Sequence, residues 1–124
     1  MENLKIFESE YRFCLILWEH EPAKSRELVR LCQEQLGWKP TTTYTVIKRP
    51  SERGIVTNEN TVVRSLVTKE QAQAAQIDEL LERTFEGSLP AFVAAFTKRK
   101  NLSRQEIDAV QAMIDSYRGS EGID

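Results

Sequence analysis

The sequence predicts a mainly α-helical chain with one small β-hairpin, and three observations carry that prediction. Apolar residues recur at helical spacing through most of the 124 residues. Capping residues and glycines punctuate the pattern at intervals suited to single helices. Only residues 55–67 switch to short β-branched runs, "IVTNEN" and "TVVRSLV", around the turn formers Asn58, Glu59 and Asn60.

Taken in order, Ser9 can cap a first helix running to about His20. Phe13, Ile16 and Leu17 give it an apolar stripe, and Trp18 is a large core anchor. "HEPAK" breaks it. Ser25 can cap a second helix, Arg26 to about Leu36, in which Leu28, Val29, Leu31, Cys32 and Leu36 recur at helical spacing. Gly37 suits its end because glycine accepts left-handed backbone. Pro40 fits the entrance of a third helix near Thr41, where its missing N–H would have had no partner. Gly54 closes that helix before the hairpin. Three helices followed by a hairpin is the order expected of a winged helix-turn-helix.

Behind the hairpin, Thr68 and Gln71 form a capping box for a helix reaching about Phe85. Gly87 breaks it, and Ser88 with Pro90 starts a short helix bearing Phe92, Val93 and Phe96. Ser103 and Glu106 form a second capping box for a helix to about Tyr117, with Ile107, Val110, Met113, Ile114 and Tyr117 on it. Such short helices cannot easily bury every apolar face among themselves. The expected division is therefore a winged helix-turn-helix DNA-binding domain at 1–68 and a helical dimerisation segment at 69–124, with packing onto the first domain as the alternative.

Composition narrows the function. The chain is 29% charged and 40% hydrophobic, an ordinary balance with enough apolar material for a core. No apolar run approaches the roughly 18 residues of a membrane span, and "MENLKIFESEYR" has no signal-peptide pattern, so no membrane association and a cytoplasmic location are expected. Cys14 and Cys32 read as reduced core thiols, with a disulfide or redox switch as the alternative. With one histidine, His20, and two separated cysteines, no metal site and no cofactor are expected. No glycine-rich phosphate loop or histidine–nucleophile pair suggests an enzyme.

The net charge of −2 hides a segregation. Residues 22–69 hold nine basic and four acidic side chains, a balance of +5, whereas residues 1–21 stand at −3 and 70–97 at −4. Positive charge gathered in one segment points to a polyanionic partner, double-stranded DNA for this predicted fold. The third helix, "TTTYTVIKRP", sits inside that segment. At 3.6 residues per turn Val46, Ile47 and position 50 point to a core, while Thr41, Tyr44, Thr45 and Lys48 share the opposite face. Four threonine hydroxyls, one aromatic ring and two adjacent cations make a DNA-reading set. Threonine can bond base edges and touch a thymine methyl, and Lys48 and Arg49 suit phosphate oxygens. Threonines that simply cap the helix are the bland alternative.

Four segments, "SEYRFCLILW", "SRELVRLCQE", "TTYTVIKRPSERGIV" and "AFVAAFTKRKNLSRQEID", in this order and spacing resemble the penicillinase-repressor family of winged-helix transcriptional regulators over nearly the whole chain. The resemblance implies a homodimeric repressor on a two-fold operator, dimerised by its C-terminal helices and controlling genes of the antibiotic-resistance type. It also implies DNA-binding roles for Thr41, Thr42, Tyr44, Thr45, Lys48 and Arg49, with Arg64 as the only strong phosphate-contact candidate in a short wing. Tyr44 stands where some members carry a base-reading arginine, so no operator sequence carries over. Antibiotic-responsive members are cut by a regulatory protease pathway at an Asn-Phe bond; the matching pair here is Ala95-Phe96. The cysteine cluster of copper-responsive members is missing, which argues against copper sensing.

Pro50 stands where the family usually has leucine. A proline inside a helix removes a hydrogen bond and clashes with the preceding turn. The expectation is a break that disturbs Arg49, weakens core packing and spares the reading face upstream. The competing function is a winged-helix protein-interaction module without direct DNA binding, favoured by the pI of about 5.6 and opposed by the clustered cations.

Overall fold

The computed structural model describes residues 4–99 and 101–121. Among them are six helices, α1 (Glu8–His20), α2 (Ser25–Leu36), α3 (Pro40–Glu52), α4 (Lys69–Phe85), α5 (Leu89–Arg99) and α6 (Arg104–Glu121). Three short strands are interleaved, β1 (Ala23–Lys24), β2 (Val56–Glu59) and β3 (Val62–Ser65).

The start of α1 differs from the Ser9 cap expected of it. Phe7 is the capping residue, and Ser9 lies in the first turn. Glu10 supplies the reason: its carboxylate reaches back to accept the Phe7 N–H at 3.0 Å, satisfying a donor that the helix leaves open. Phe13, Cys14 and Leu17 are fully buried behind it, and Ile16 nearly so. Trp18 is half-buried rather than central, with its indole N–H donating to the Val67 carbonyl at 3.1 Å.

Residues 23–24 form a strand that the "HEPAK" break concealed. β1 pairs antiparallel with β3 (Ala23 opposite Val63), so the expected hairpin is a three-stranded sheet of order β1-β3-β2. Its turn is also displaced. Asn58 and Glu59 belong to β2, and the two loop residues are Asn60 and Thr61, both at positive φ, 54° and 64°. Positive φ at both central residues gives the twist that closes a two-residue hairpin. The Thr61 carbonyl accepts the Ser25 N–H at 2.8 Å, so Ser25 is the buried first residue of α2 and Lys24 its cap. Gly37 ends α2 as expected, at φ +71°.

The core lies under α1, α2 and α3 and is closed by the sheet. Phe13, Leu17, Leu28, Ile47, Ile55, Val56 and Val63 are its largest fully buried members, and Ile6 joins from the N-terminal segment. Each such side chain contributes about 1.5–3 kcal/mol through burial. Cys14 and Cys32 are free and buried within it. Burial, with Glu10 and Glu21 nearby, pushes the Cys14 thiol up to about 12, and burial also raises Cys32.

Both capping boxes form. Thr68 and Gln71 exchange bonds of 2.8 and 3.0 Å at α4, and Ser103 and Glu106 exchange bonds of 3.0 Å at α6. The small residues Ala72 and Ala75 are the buried ones of α4, and Ala72 joins the core. Phe85 meets Phe92 edge-on at 5.6 Å, fixing α5 on the end of α4. Helix α6 runs beyond Tyr117 to Glu121, and every side chain from Arg104 to Ser120 is exposed.

Candidate nucleic-acid interface

Helix α3 carries the candidate face. Pro40 is its first residue, and the Lys39 carbonyl accepts the Thr42 and Thr43 N–H groups at 2.9 and 3.2 Å. No side chain caps this end. The threonines are therefore not its caps, and a hydroxyl-rich run at 41–45 needs another explanation.

Burial divides the helix along its length. Thr43, Val46, Ile47 and Pro50, at i, i+3, i+4 and i+7, are buried against the core. Thr41, Tyr44, Thr45 and Lys48 repeat the same spacing on the far side and are all exposed, Tyr44 at 48%. Thr42 and Arg49 are exposed on the flank between them. Of the four threonine hydroxyls in the run, three are exposed and one is not. Thr43 falls in phase with Val46, Ile47 and Pro50 and is fully buried, its hydroxyl beside the Cys32 thiol.

Pro50 does not break the helix. α3 continues through Glu52, Arg49 stays helical, and the Pro50 carbonyl accepts the Ile55 N–H at 2.9 Å. The proline forfeits its hydrogen bond to the Val46 carbonyl, but only two helical residues follow it, so little helix remains to be disrupted. Its ring is among the largest fully buried side chains, so it fills the core instead of loosening it.

Charge is sorted in the same way. Arg30 of α2 is held by Glu27 and, at 2.8 Å, by Glu34, while Arg53 at the end of α3 is paired with Glu10. Among the described residues Lys48, Arg49 and Arg64 make no salt bridge. Arg64 points outward from β3, whose neighbour Val63 is fully buried. Lys39, exposed at the entrance of α3, is a further cation beside this face that was not nominated from the sequence. Its position next to Pro40 was the available signal.

A family model described as penicillinase repressor matches residues 6–116. The chain belongs to the penicillinase repressor family. It is similar to the methicillin resistance regulatory protein MecI of Mammaliicoccus sciuri, 22% identical over 118 residues that cover 92% of this chain and 96% of the relative. It is similar too to the penicillinase repressor of Bacillus licheniformis, 20% identical over 118 residues covering 92% of each. The family is one of transcriptional repressors.

The remaining pair taken from the family pattern, Ala95-Phe96, lies inside α5. Ala95 is half-buried, and Phe96 stacks on Phe92 at 6.0 Å while staying 40% exposed. A peptide bond within a hydrogen-bonded helix is not presented in extended form. No helix among the described residues is long and apolar enough to cross a membrane.

Proposed function

We propose that this family member is a DNA-binding transcriptional repressor that acts as a homodimer in the cytoplasm, setting the outer face of α3 into the major groove at each half of a two-fold operator. The observation that carries it is the division of α3: hydroxyls, one aromatic ring and unpaired cations on the exposed face, core residues on the other. Thr41, Thr42, Tyr44 and Thr45 meet base edges, whereas Lys48, Arg49 and the wing's Arg64 neutralise phosphates. Residues 1–68 form the DNA-binding unit and 69–124 the dimerisation segment. Ile107, Val110, Met113, Ile114 and Tyr117, each at least 50% exposed on α6, are an apolar stripe that a second copy would cover. The names of the two relatives make genes of the antibiotic-resistance type the first candidate targets.

The test is fluorescence anisotropy of the intact chain with duplex DNA from its own upstream region at rising salt. Tight binding at low salt that weakens steeply is expected, each neutralised phosphate adding about −0.9 to the logarithmic slope. Absence of binding at low salt overturns the proposal.

A further inference from the structure

Residues 5–7, just ahead of α1, join helices that lie far apart in the sequence. Arg53 caps the C-terminal end of α3, directly behind the reading face. Its guanidinium donates to the Lys5 carbonyl at 3.1 Å and to the Glu10 carboxylate, and it lies 5.2 Å from the centre of the Phe7 ring. Glu10 is almost fully buried, its side chain 4% exposed, and the same carboxylate oxygen takes the Phe7 N–H. From the other side the Gln76 amide of α4 donates to the Ile6 carbonyl, while the Ile6 side chain is buried in the core. Three consecutive residues thus give three carbonyls and one N–H to partners at the end of α3, on α4 and on α1, the Phe7 carbonyl taking the Tyr11 N–H at 2.9 Å.

Helices α3 and α4 both pack against α1, and the 5–7 segment pins the end of one to the middle of the other. We infer that this segment is a strap fixing the angle between the reading helix and α4, which makes Arg53 and Gln76 positioning residues for operator half-site spacing. The inference rests on the proposed dimeric DNA-binding function. Helix α4 is the first helix of the proposed dimerisation segment, so its angle to α3 sets the distance and rotation between the two reading faces of a dimer. One base pair more or less between half-sites moves the second by about 3.4 Å and turns it by about 35°. A rigid strap rejects that displacement; a loosened one tolerates it. Contacts at a single half-site do not depend on it.

The experiment uses the intact chain and the duplex that the unaltered protein selects from a random library. Spacers in that duplex are varied one base pair at a time, and a duplex with one half-site serves as control. The unaltered protein is expected to favour one spacer by about tenfold or more over its neighbours. Gln76→Ala and Arg53→Met should bring neighbouring spacers within about threefold of each other, with half-site binding changed by less than about threefold. Arg53→Lys, which keeps a cation beside Glu10, should retain the preference. Arg53→Met leaves Glu10 buried without its partner; should that variant not fold, Gln76→Ala decides. Variants that keep the spacer profile and lose affinity equally on every duplex, the half-site included, overturn the strap and leave the proposed function standing. An unaltered protein that selects no duplex overturns both.

Discussion

Residues 4–67 and residues 89–121 treat their apolar side chains in opposite ways. In the first region Phe13, Leu17, Leu28, Ile47, Ile55 and Val63 disappear into a core closed by three helices and a sheet, with Ala72 of α4 added at its edge. In the second, Leu89, Val93, Phe96, Ile107, Val110, Met113, Ile114 and Tyr117 stay at least 40% exposed. Similar helices with similar apolar content therefore have different needs. The first region can present a rigid polar face because its own interior fixes α3. The second has an apolar surface still to be covered, and a symmetric partner would cover it while duplicating that polar face.

The difference can be broken from either side. Phe13→Ala should cost about 3–5 kcal/mol of stability, measured by denaturant titration, because it empties a fully buried site. Val110→Ala on α6 should cost under about 0.5 kcal/mol at protein concentrations that keep the chain monomeric. Equal costs at the two sites would mean that α6 already has a buried face within one chain. Next in size, Ile107→Asp combined with Ile114→Asp should convert a dimer to a monomer in light scattering. Affinity for a two-half-site duplex should then fall by about 100-fold, the contribution of linked binding.

Much of this division was legible beforehand. The capping boxes Thr68/Gln71 and Ser103/Glu106, the glycine after α2 and the proline that opens α3 are local signals, and the ends that they mark form accordingly. What escaped depended on distance or phase. Glu10 displaces Ser9 as the organiser of α1, and its partner Arg53 is 43 residues away, invisible to any local pattern. β1 is two residues long and has no periodicity to detect. Thr43 and Thr45 look equivalent in a run of threonines until Val46, Ile47 and Pro50 fix which side is core. The cost of Pro50 likewise depends on where its helix ends, and that end comes two residues later.

Smaller effects sharpen the reading face itself. Thr45→Ala should reduce discrimination between operator variants by about 1–3 kcal/mol if the hydroxyl bonds a base, whereas Lys48→Ala should weaken binding to all sequences alike and lessen the salt slope by about 0.9. Competition titrations at two salt concentrations separate the two behaviours. Pro50→Ala should have the least effect. It restores one N–H donor in the last turn and removes a buried ring, so a stability change within about 1 kcal/mol and an unaltered sequence preference are expected. A changed preference would make the ring part of the reading geometry.

The most direct test of a polar α3 face presented twice to DNA is selection of bound duplexes from a random library by the intact protein. Recovery of a motif made of two inverted half-sites is the expected result. Recovery of a single asymmetric site, or of no enriched sequence, would contradict it.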